Sequence, residues 1–233
     1  MSETHQHWFL GDDVFGQERS DAQIAGLLNW LGEPSKRVVD LGCGSGRIVV
    51  PLAVAGHEVV GVDSDQKSID LCCDALQAQK VAAEIVCDDF RNPVAEVTGR
   101  VDAFVCLGNT FMLLVDPLEA VKLLSQWGQQ LAPGGAIIID DIPQDLLGEL
   151  TEGRWQDGLS EDGQLQMAWA HGDLVFAVRS GDQIEVDHEG ILVGEPCFRL
   201  WTMGALDLVA SQAGLAPPQW LSDAGLLVLG AKN

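Results

Sequence analysis

A short apolar run that leads into three closely spaced glycines constrains the fold of this chain more than any other feature. Residues 37–41 (RVVDL) are rich in β-branched side chains and predict a buried strand, and residues 42–47 (GCGSGR) predict a tight turn. A helical pattern follows at residues 45–55 and stops at Gly56. This order of strand, glycine turn and helix is typical of a parallel α/β sheet, which binds ligands at such turns.

Apolar strands and helices alternate through the first 150 residues. Further buried strands are predicted at residues 58–63, 84–89, 101–108 and 136–141, and helices at residues 20–31, 64–80 and 117–131. Ser20 or Asp21 is expected to cap the first of these helices, and Ser64 or Asp65 the second. The alternation predicts a largely parallel sheet that is covered by helices on both faces.

The pattern changes after residue 150. Segments in which apolar and polar residues alternate are predicted as antiparallel strands at residues 164–171, 174–180, 183–193 and 196–202. The sequences Gly-Asp, Ser-Gly-Asp and Gly-Glu-Pro separate them and favour hairpin turns. A helical pattern at residues 203–215 and a final apolar strand then close the chain.

The charge balance limits the classes of partner. The chain has 35 acidic and 13 basic residues and a formal net charge of −22, so its surface repels nucleic-acid phosphates and anionic lipids. Residues 140–195 hold 14 acids and two bases, which indicates either a solvated surface or a negative vestibule for a cationic substrate. The six cysteines form no metal or disulfide pattern, and without a secretory signal the cytoplasm is the expected location.

A carboxylate at the end of the second predicted strand adds to the glycine turn. Asp63 is placed to accept both hydroxyls of a ribose, which fits either an NAD site or an adenosyl site. Arg47 stands where a dinucleotide fingerprint has its third glycine, so the tighter spacing that ends at Gly46 suits a ligand without a pyrophosphate. In the alternative interpretation the glycines serve only the turn, but Asp40 and Asp63 in register count against it.

Five segments, in order, resemble the motifs of the class I S-adenosylmethionine-dependent methyltransferases, in particular those that act on small molecules. They are residues 38–47 (VVDLGCGSGR), 59–65 (VVGVDSD), 85–93 (IVCDDFRNP), 101–111 (VDAFVCLGNTF) and 131–141 (LAPGGAIIIDD). The resemblance implies an α/β fold with a Rossmann-like seven-stranded sheet, helices on both faces and an antiparallel β insertion before the sixth strand.

The resemblance also divides the chain into four regions. Residues 1–18 would form an N-terminal lid segment, and residues 19–150 the Rossmann-like core that binds S-adenosylmethionine. Residues 151–202 would form the antiparallel insertion over the acceptor site. Residues 203–233 would supply a helix and strands that complete the core sheet.

S-adenosylmethionine is the cofactor that the resemblance implies, and its ribose and methionine would lie over the glycine turn. Gly42, Gly44 and Gly46 would pass beneath them. Asp40 would orient this loop. Asp63 would bind the ribose hydroxyls, and Ser64 would lie beside it.

For the adenine, the alignment of the third motif favours Asp89 as the acid that binds the exocyclic amine, with the Phe90 backbone N–H beside it. A shift by one residue would favour Asp88 instead. At the methionine end, a carbonyl of Leu107 or Gly108 would face the amino group. Two arginines, Arg19 and Arg47, are candidates for its carboxylate.

The acceptor is indicated by the fourth motif. Residues 107–111 (LGNTF) stand where methyltransferases of nucleobase amino groups have a D/N-P-P-aromatic motif, and they resemble the version in enzymes that methylate glycine-like amines and amino sugars. This favours a small, amine-bearing acceptor, and O-methylation stays open. A hydroxyl acceptor would need a general base, for which Asp141 and His171 are the candidates.

Three further alternatives stay open at this point. The chain could bind the cofactor without transferring a methyl group, or it could be an NAD-dependent oxidoreductase. A homodimer is equally compatible with the sequence.

Overall fold

The computed structural model describes residues 16–93, 97, 99–140, 148–181, 184, 190–221 and 225–232. Its strands are β1 (Arg37–Leu41), β2 (Glu58–Asp63), β3 (Glu84–Cys87), β4 (Val101–Cys106), β5 (Leu131–Asp140), β6 (Leu165–Trp169), β7 (Val175–Ser180), β8 (Cys197–Arg199), β9 (Gln219–Leu221) and β10 (Leu226–Gly230). Seven of them form one sheet in the order β3-β2-β1-β4-β5-β10-β9. β1 to β5 are parallel, and β10 runs antiparallel to both of its neighbours. The predicted α/β fold is therefore confirmed.

Helices cover both faces of this sheet. They are α1 (Gly16–Leu31), α2 (Val49–Val54), α3 (Gln66–Gln79), α4 (Pro117–Gln130) and α5 (Met203–Gln212). Successive strand residues point to opposite faces: Val38 and Ile138 pack with α1 to α3, and Val39 and Ile137 pack with α4 and α5. Among the described residues, no helix has both the length and the apolar character needed to cross a membrane.

The helix starts confirm one predicted cap and correct another. Asp65 caps α3, because its carboxylate accepts the backbone N–H groups of Lys67 at 3.4 Å and Ser68 at 3.0 Å. The predicted caps of α1, Ser20 and Asp21, are wrong, because α1 already begins at Gly16 and both residues lie inside it. The polar first turn of α1 gave no periodic signal from which its true start could be predicted.

The antiparallel insertion forms a separate three-stranded sheet in the order β6-β7-β8. Along the chain it comes after β5 and before β9, which is the sixth strand of the main sheet in chain order. It packs on a short 3-10 helix (Thr110–Leu113) that follows β4, where Met112 is buried against Met167, Phe176 and Phe198. Most of the strand predicted at residues 183–193 lies outside the described residues. So does nearly all of the N-terminal lid segment.

Asp116 supplies a test of the fold away from the predicted ligand-binding residues. Its carboxylate accepts the Leu118 N–H at 2.9 Å, and Pro117 occupies the first turn of α4. Asp116→Ala should lower the free energy of unfolding by about 1 kcal/mol, because that N–H loses its cap. Asp116→Asn keeps an acceptor oxygen and should stay within about 0.5 kcal/mol of the parent. Chemical denaturation measures both, and an alanine variant as stable as the parent would contradict the assigned cap.

Candidate functional site

A cavity of about 400 Å³ lies at the carboxyl ends of the parallel strands. It opens beside β1 and β4, where the strand order reverses, and open α/β sheets bind their ligands at such reversals. Its lining includes ten of the residues that were candidates for cofactor binding: Asp40, Gly42, Gly44, Arg47, Asp63, Ser64, Asp89, Phe90, Leu107 and Gly108. Four loops that are distant in sequence thus meet around one space.

Three other predicted cofactor residues do not line this cavity. Gly46 is the buried glycine of the loop. Asp88 is exposed, and its carboxylate accepts the Asn92 side-chain amide at 2.8 Å. Arg19 lies on α1, where its guanidinium approaches Gly225. Of the two arginines considered for the methionine carboxylate, it is Arg47 that lines the cavity.

The two predicted general bases, His171 and Asp141, both stay predictions. His171 is exposed in the turn between β6 and β7 and is absent from the cavity lining, so its role stays a prediction. Asp141 lies outside the described residues.

Asp63 connects the glycine loop to the start of α3. Its Oδ2 accepts the Gly44 N–H and its Oδ1 accepts the Asp65 N–H, both at 2.9 Å. A carboxylate offers about four acceptor positions, so both oxygens keep capacity for a further hydrogen bond. The loop therefore holds this carboxylate in one orientation at the wall of the cavity.

Two glycines of the loop are required for different reasons. Gly46 has φ of +94°, and an added Cβ would lie 2.8 Å from the Cys72 Sγ, so packing inside the protein excludes a side chain. Gly44 has φ of +53°, but an added Cβ would meet nothing within 4 Å. Because Gly44 lines the cavity, the open space above it is available to a ligand.

The loop after β3 is fixed by an arginine. Arg91 pairs with Asp89 at 3.1 Å and with Glu119 of α4 at 3.6 Å, and it donates to the Leu113 carbonyl at 2.9 Å. Its guanidinium also lies 4.8 Å from the centre of the Phe90 ring. These contacts hold Asp89 and Phe90 at one end of the cavity.

Asp140, which was not predicted from the sequence, is a buried acid at the end of β5. It is 1% exposed, and it accepts the Gln23 side-chain amide at 2.8 Å and the Asn109 N–H at 2.7 Å. Burial raises the pKa of Asp140, while these hydrogen bonds and the positive charges of Arg47 and Arg19 act in the opposite direction. The only signal for Asp140 in the sequence was an acid after three isoleucines, and the neighbouring Asp141 was named as a candidate general base.

Cys43 lines the cavity but is not suited to act as a nucleophile. Its thiol shares a hydrogen bond with Cys72, and this bond and its burial raise the pKa of Cys43 far above that of a free thiol. The reactive form of cysteine is the thiolate, so Cys43 stays a neutral packing residue.

The described acids of the insertion do not line this cavity, and most of them are exposed. Within residues 148–181 and 190–195, Arg179 pairs with Glu195, and Arg154 with Glu152. Asp157 is exposed, and none of the described acids in these ranges lines the cavity. The solvated-surface interpretation therefore fits five of the seven described acids in these ranges, whereas Glu149 and Glu195 are partly buried.

Residues 38–135 match the family model described as a methyltransferase domain. Among curated proteins, the chain is 34% identical over 122 residues to the cypemycin N-terminal methyltransferase of Streptomyces sp., covering 50% of this chain and 47% of that protein. It is 29% identical over 113 residues to the glycine/sarcosine N-methyltransferase of Aphanothece halophytica, covering 48% and 43%.

The RNA-modifying 23S rRNA (uracil(1939)-C(5))-methyltransferase RlmD of Shewanella sediminis is also similar, with 28% identity over 129 residues, covering 54% of this chain and 28% of that protein. The chain thus spans less than half the length of each of these three relatives.

Solved structures share the whole fold. The PH0226 protein of Pyrococcus horikoshii matches with a TM-score of 0.70 and 19% identity over 100% of both chains. An S-adenosylmethionine-dependent methyltransferase of Clostridium acetobutylicum matches with a TM-score of 0.66 and 14% identity, covering 93% of this chain and 92% of that chain. CalS10, an amino pentose methyltransferase of Micromonospora echinaspora, has a TM-score of 0.57 and 19% identity, covering 92% and 89%. The chain therefore has the Rossmann-like fold that these three structures share.

The two loop glycines should differ in their effect on stability. Gly44→Ala should cost roughly 1–2 kcal/mol of unfolding free energy, because an alanine is strained at positive φ. Gly46→Ala should cost roughly 2–4 kcal/mol, because overpacking against Cys72 adds to that strain. Denaturation curves of the two variants measure the difference, and equal losses would contradict the packing described for Gly46.

Proposed function

We propose that the chain is an S-adenosylmethionine-dependent methyltransferase whose acceptor is a small molecule that carries an amine. The observation that carries the donor assignment is Asp63, which ends β2 beside the glycine loop inside the matched methyltransferase domain. Each of its oxygens accepts one backbone N–H and can accept one ribose hydroxyl in addition.

The charge of the cavity supports this methyl donor over a dinucleotide. Four carboxylates line it, those of Asp40, Asp63, Asp65 and Asp89, against the two guanidiniums of Arg47 and Arg91. S-adenosylmethionine carries a sulfonium, an ammonium and one carboxylate, so a cavity with excess negative charge attracts it. The pyrophosphate of NAD would be repelled by the same lining.

The adenine is proposed to lie between the loops after β2 and β3. Asp89 and Phe90 both line the cavity there, whereas the Asp88 carboxylate is exposed outside it. Asp89 is therefore the stronger candidate to accept the exocyclic amine. Arg91 holds its carboxylate at 3.1 Å, so little side-chain freedom is lost when the ligand binds.

The methionine end is proposed to lie beside Arg47 and the carboxyl end of β4. Thr110 donates its hydroxyl to the Leu107 carbonyl at 2.9 Å and so fixes this turn. When bound, S-adenosylmethionine supplies an electrophilic methyl group on a positively charged sulfur. The protein then has to align the acceptor in line with that bond and exclude water. A neutral amine attacks without a strong base, whereas a hydroxyl needs one.

Two of the relatives support an amine acceptor, since their names describe N-terminal and glycine/sarcosine N-methylation. CalS10, described as an amino pentose methyltransferase, shares the fold over 92% of this chain. The RNA-modifying relative shares only 28% of its length with this chain, and a net charge of −22 opposes binding to an RNA backbone. A small amine is therefore favoured over a nucleic acid.

The proposed reaction can be tested with matched acceptors. The protein and S-adenosylmethionine should methylate members of a panel of amines, such as glycine and amino sugars, but not their hydroxyl counterparts, such as glycolate and the parent sugars. S-adenosylhomocysteine release and product mass measure the transfer. Asp63→Asn is the matched control: it should bind the methyl donor at least about tenfold more weakly, because a charge-assisted hydrogen bond to ribose is lost.

Three outcomes would contradict parts of this proposal. Transfer only to hydroxyls or to an RNA transcript would overturn the acceptor class. Binding of S-adenosylmethionine without transfer to any acceptor would favour a binding protein. Binding of NAD instead of S-adenosylmethionine would overturn the cofactor.

The choice between Asp89 and Asp88 can be tested with a modified base. S-inosylhomocysteine carries a carbonyl in place of the adenine amine, so the parent protein should prefer S-adenosylhomocysteine. Asp89→Ala should lose about tenfold in affinity for the adenosyl compound and most of this preference, because the acceptor of the amine is removed. Asp88→Ala should retain the preference. Calorimetric titration measures both, and the opposite pattern would assign the adenine to Asp88.

A further inference from the structure

The buried carboxylate of Asp140 has no part in the binding roles described so far. We propose that Asp140 acts through Gln23 as a positioning residue, and that it holds Arg47 at the methionine carboxylate of the methyl donor. This inference rests on the proposed function. It extends that function to a residue that does not itself line the cavity.

The contacts form a continuous chain from the end of β5 to the cavity. The Gln23 Nε2 donates to the Asp140 Oδ1 at 2.8 Å, and the Gln23 Oε1 accepts from the Arg47 Nη1 at 2.9 Å. Gln23 is 0% exposed, so water does not compete for either bond. Arg47 itself lines the cavity, and its Nη2 lies 3.9 Å from the position that a Cβ on Gly108 would occupy. The guanidinium is thus held beside the carboxyl end of β4.

The charges at the two ends explain why a glutamine lies between them. A carboxylate only accepts hydrogen bonds and a guanidinium only donates them, whereas an amide does both. Gln23 therefore presents its NH2 group to Asp140 and its carbonyl to Arg47, and each bond is strengthened because one partner is charged. A neutral residue at position 140 would weaken the orientation of this amide and, through it, that of Arg47.

The same carboxylate also holds the turn that follows β4. The Asp140 Oδ2 accepts the backbone N–H of Asn109, which has φ of +65°, at 2.7 Å. Asparagine in place of Asp140 has one acceptor oxygen for the two donors Gln23 and Asn109, so one of these bonds is lost. Four segments of the chain therefore depend on one carboxylate: α1, the glycine loop, the turn after β4 and β5.

Two ligands separate positioning of Arg47 from general damage to the site. S-adenosylhomocysteine carries the amino-acid carboxylate, and 5′-methylthioadenosine has the same adenosine and sulfur without it. Calorimetric titration of the full chain should show that Arg47→Met weakens S-adenosylhomocysteine at least about tenfold and changes 5′-methylthioadenosine less than about twofold. Asp140→Asn should lower the affinity for S-adenosylhomocysteine at least about fivefold, because it acts on the same contact. It should change the affinity for 5′-methylthioadenosine less than about twofold, as Arg47→Met does.

A double variant tests whether Asp140 acts through Arg47. With Arg47→Met already present, Asp140→Asn should cause no further loss of S-adenosylhomocysteine affinity, because residues that act through one contact are not additive. Gln23→Met keeps Asp140 and should cause the same selective loss of S-adenosylhomocysteine affinity as Asp140→Asn. It can replace Asp140→Asn in the test if that variant does not fold. Asp21→Asn is the matched control, since it alters an exposed bond of the same type on α1, from Gln17 to Asp21 at 2.7 Å, and should leave both affinities unchanged.

The outcomes distinguish this inference from the proposed function. If the parent protein binds neither ligand, the proposed methyl donor is wrong and the inference falls with it. If the parent binds both, but Asp140→Asn and Gln23→Met weaken both ligands equally or neither, the positioning role is overturned alone. Additive losses in the double variant would also overturn it.

Discussion

The two backbone hydrogen bonds to the carboxylate of Asp63 are the interaction on which the rest of the site depends. One comes from Gly44 in the loop after β1, and the other from Asp65 at the cap of α3. The loop also turns back onto β2, since the N–H groups of Gly42 and Cys43 both donate to the Val62 carbonyl at 2.8 and 3.0 Å. A loop that could otherwise adopt many conformations is thus fixed to the neighbouring strand. Because the loop is held there, the space above Gly44 stays open to a ligand.

The buried carboxylate of Asp140, in the same region, is stabilised by a small number of hydrogen-bond partners. Asp140 and Gln23 are almost fully buried, which would be costly without hydrogen bonds. Each has partners in other segments of the chain, so the cost of burial is offset only when α1, β4 and β5 are all in place. The polar network therefore links the folding of the core to the geometry of the cavity.

The amino-acid sequence predicted the parts of the site that depend on local chemistry. Strand β1, the glycine turn and Asp63 could be located because β-branched runs, glycines and a strand-ending acid each have a local signature. The role of Asp140 could not be predicted in that way, since it depends on the contacts that Gln23 and Asn109 make with it at the end of β5. Strand β9 has only three residues after two prolines, so no alternation revealed it. The early start of α1 could not be predicted either, because its first turn is polar and shows no apolar periodicity.

The turn after β4 connects the glycine loop with the core of the insertion. An added Cβ on Gly42 would lie 2.6 Å from the Thr110 side chain, so the glycine loop packs directly on this turn. Two residues later, Met112 is buried in the core of the insertion. The family match ends at residue 135, while solved structures match nearly the whole chain in fold. The 3-10 helix therefore joins the wall of the cavity, which Thr110 lines, to the core of the insertion, in which Met112 is buried. A change in the packing of the insertion around Met112 would thus be transmitted to the turn on which the glycine loop rests.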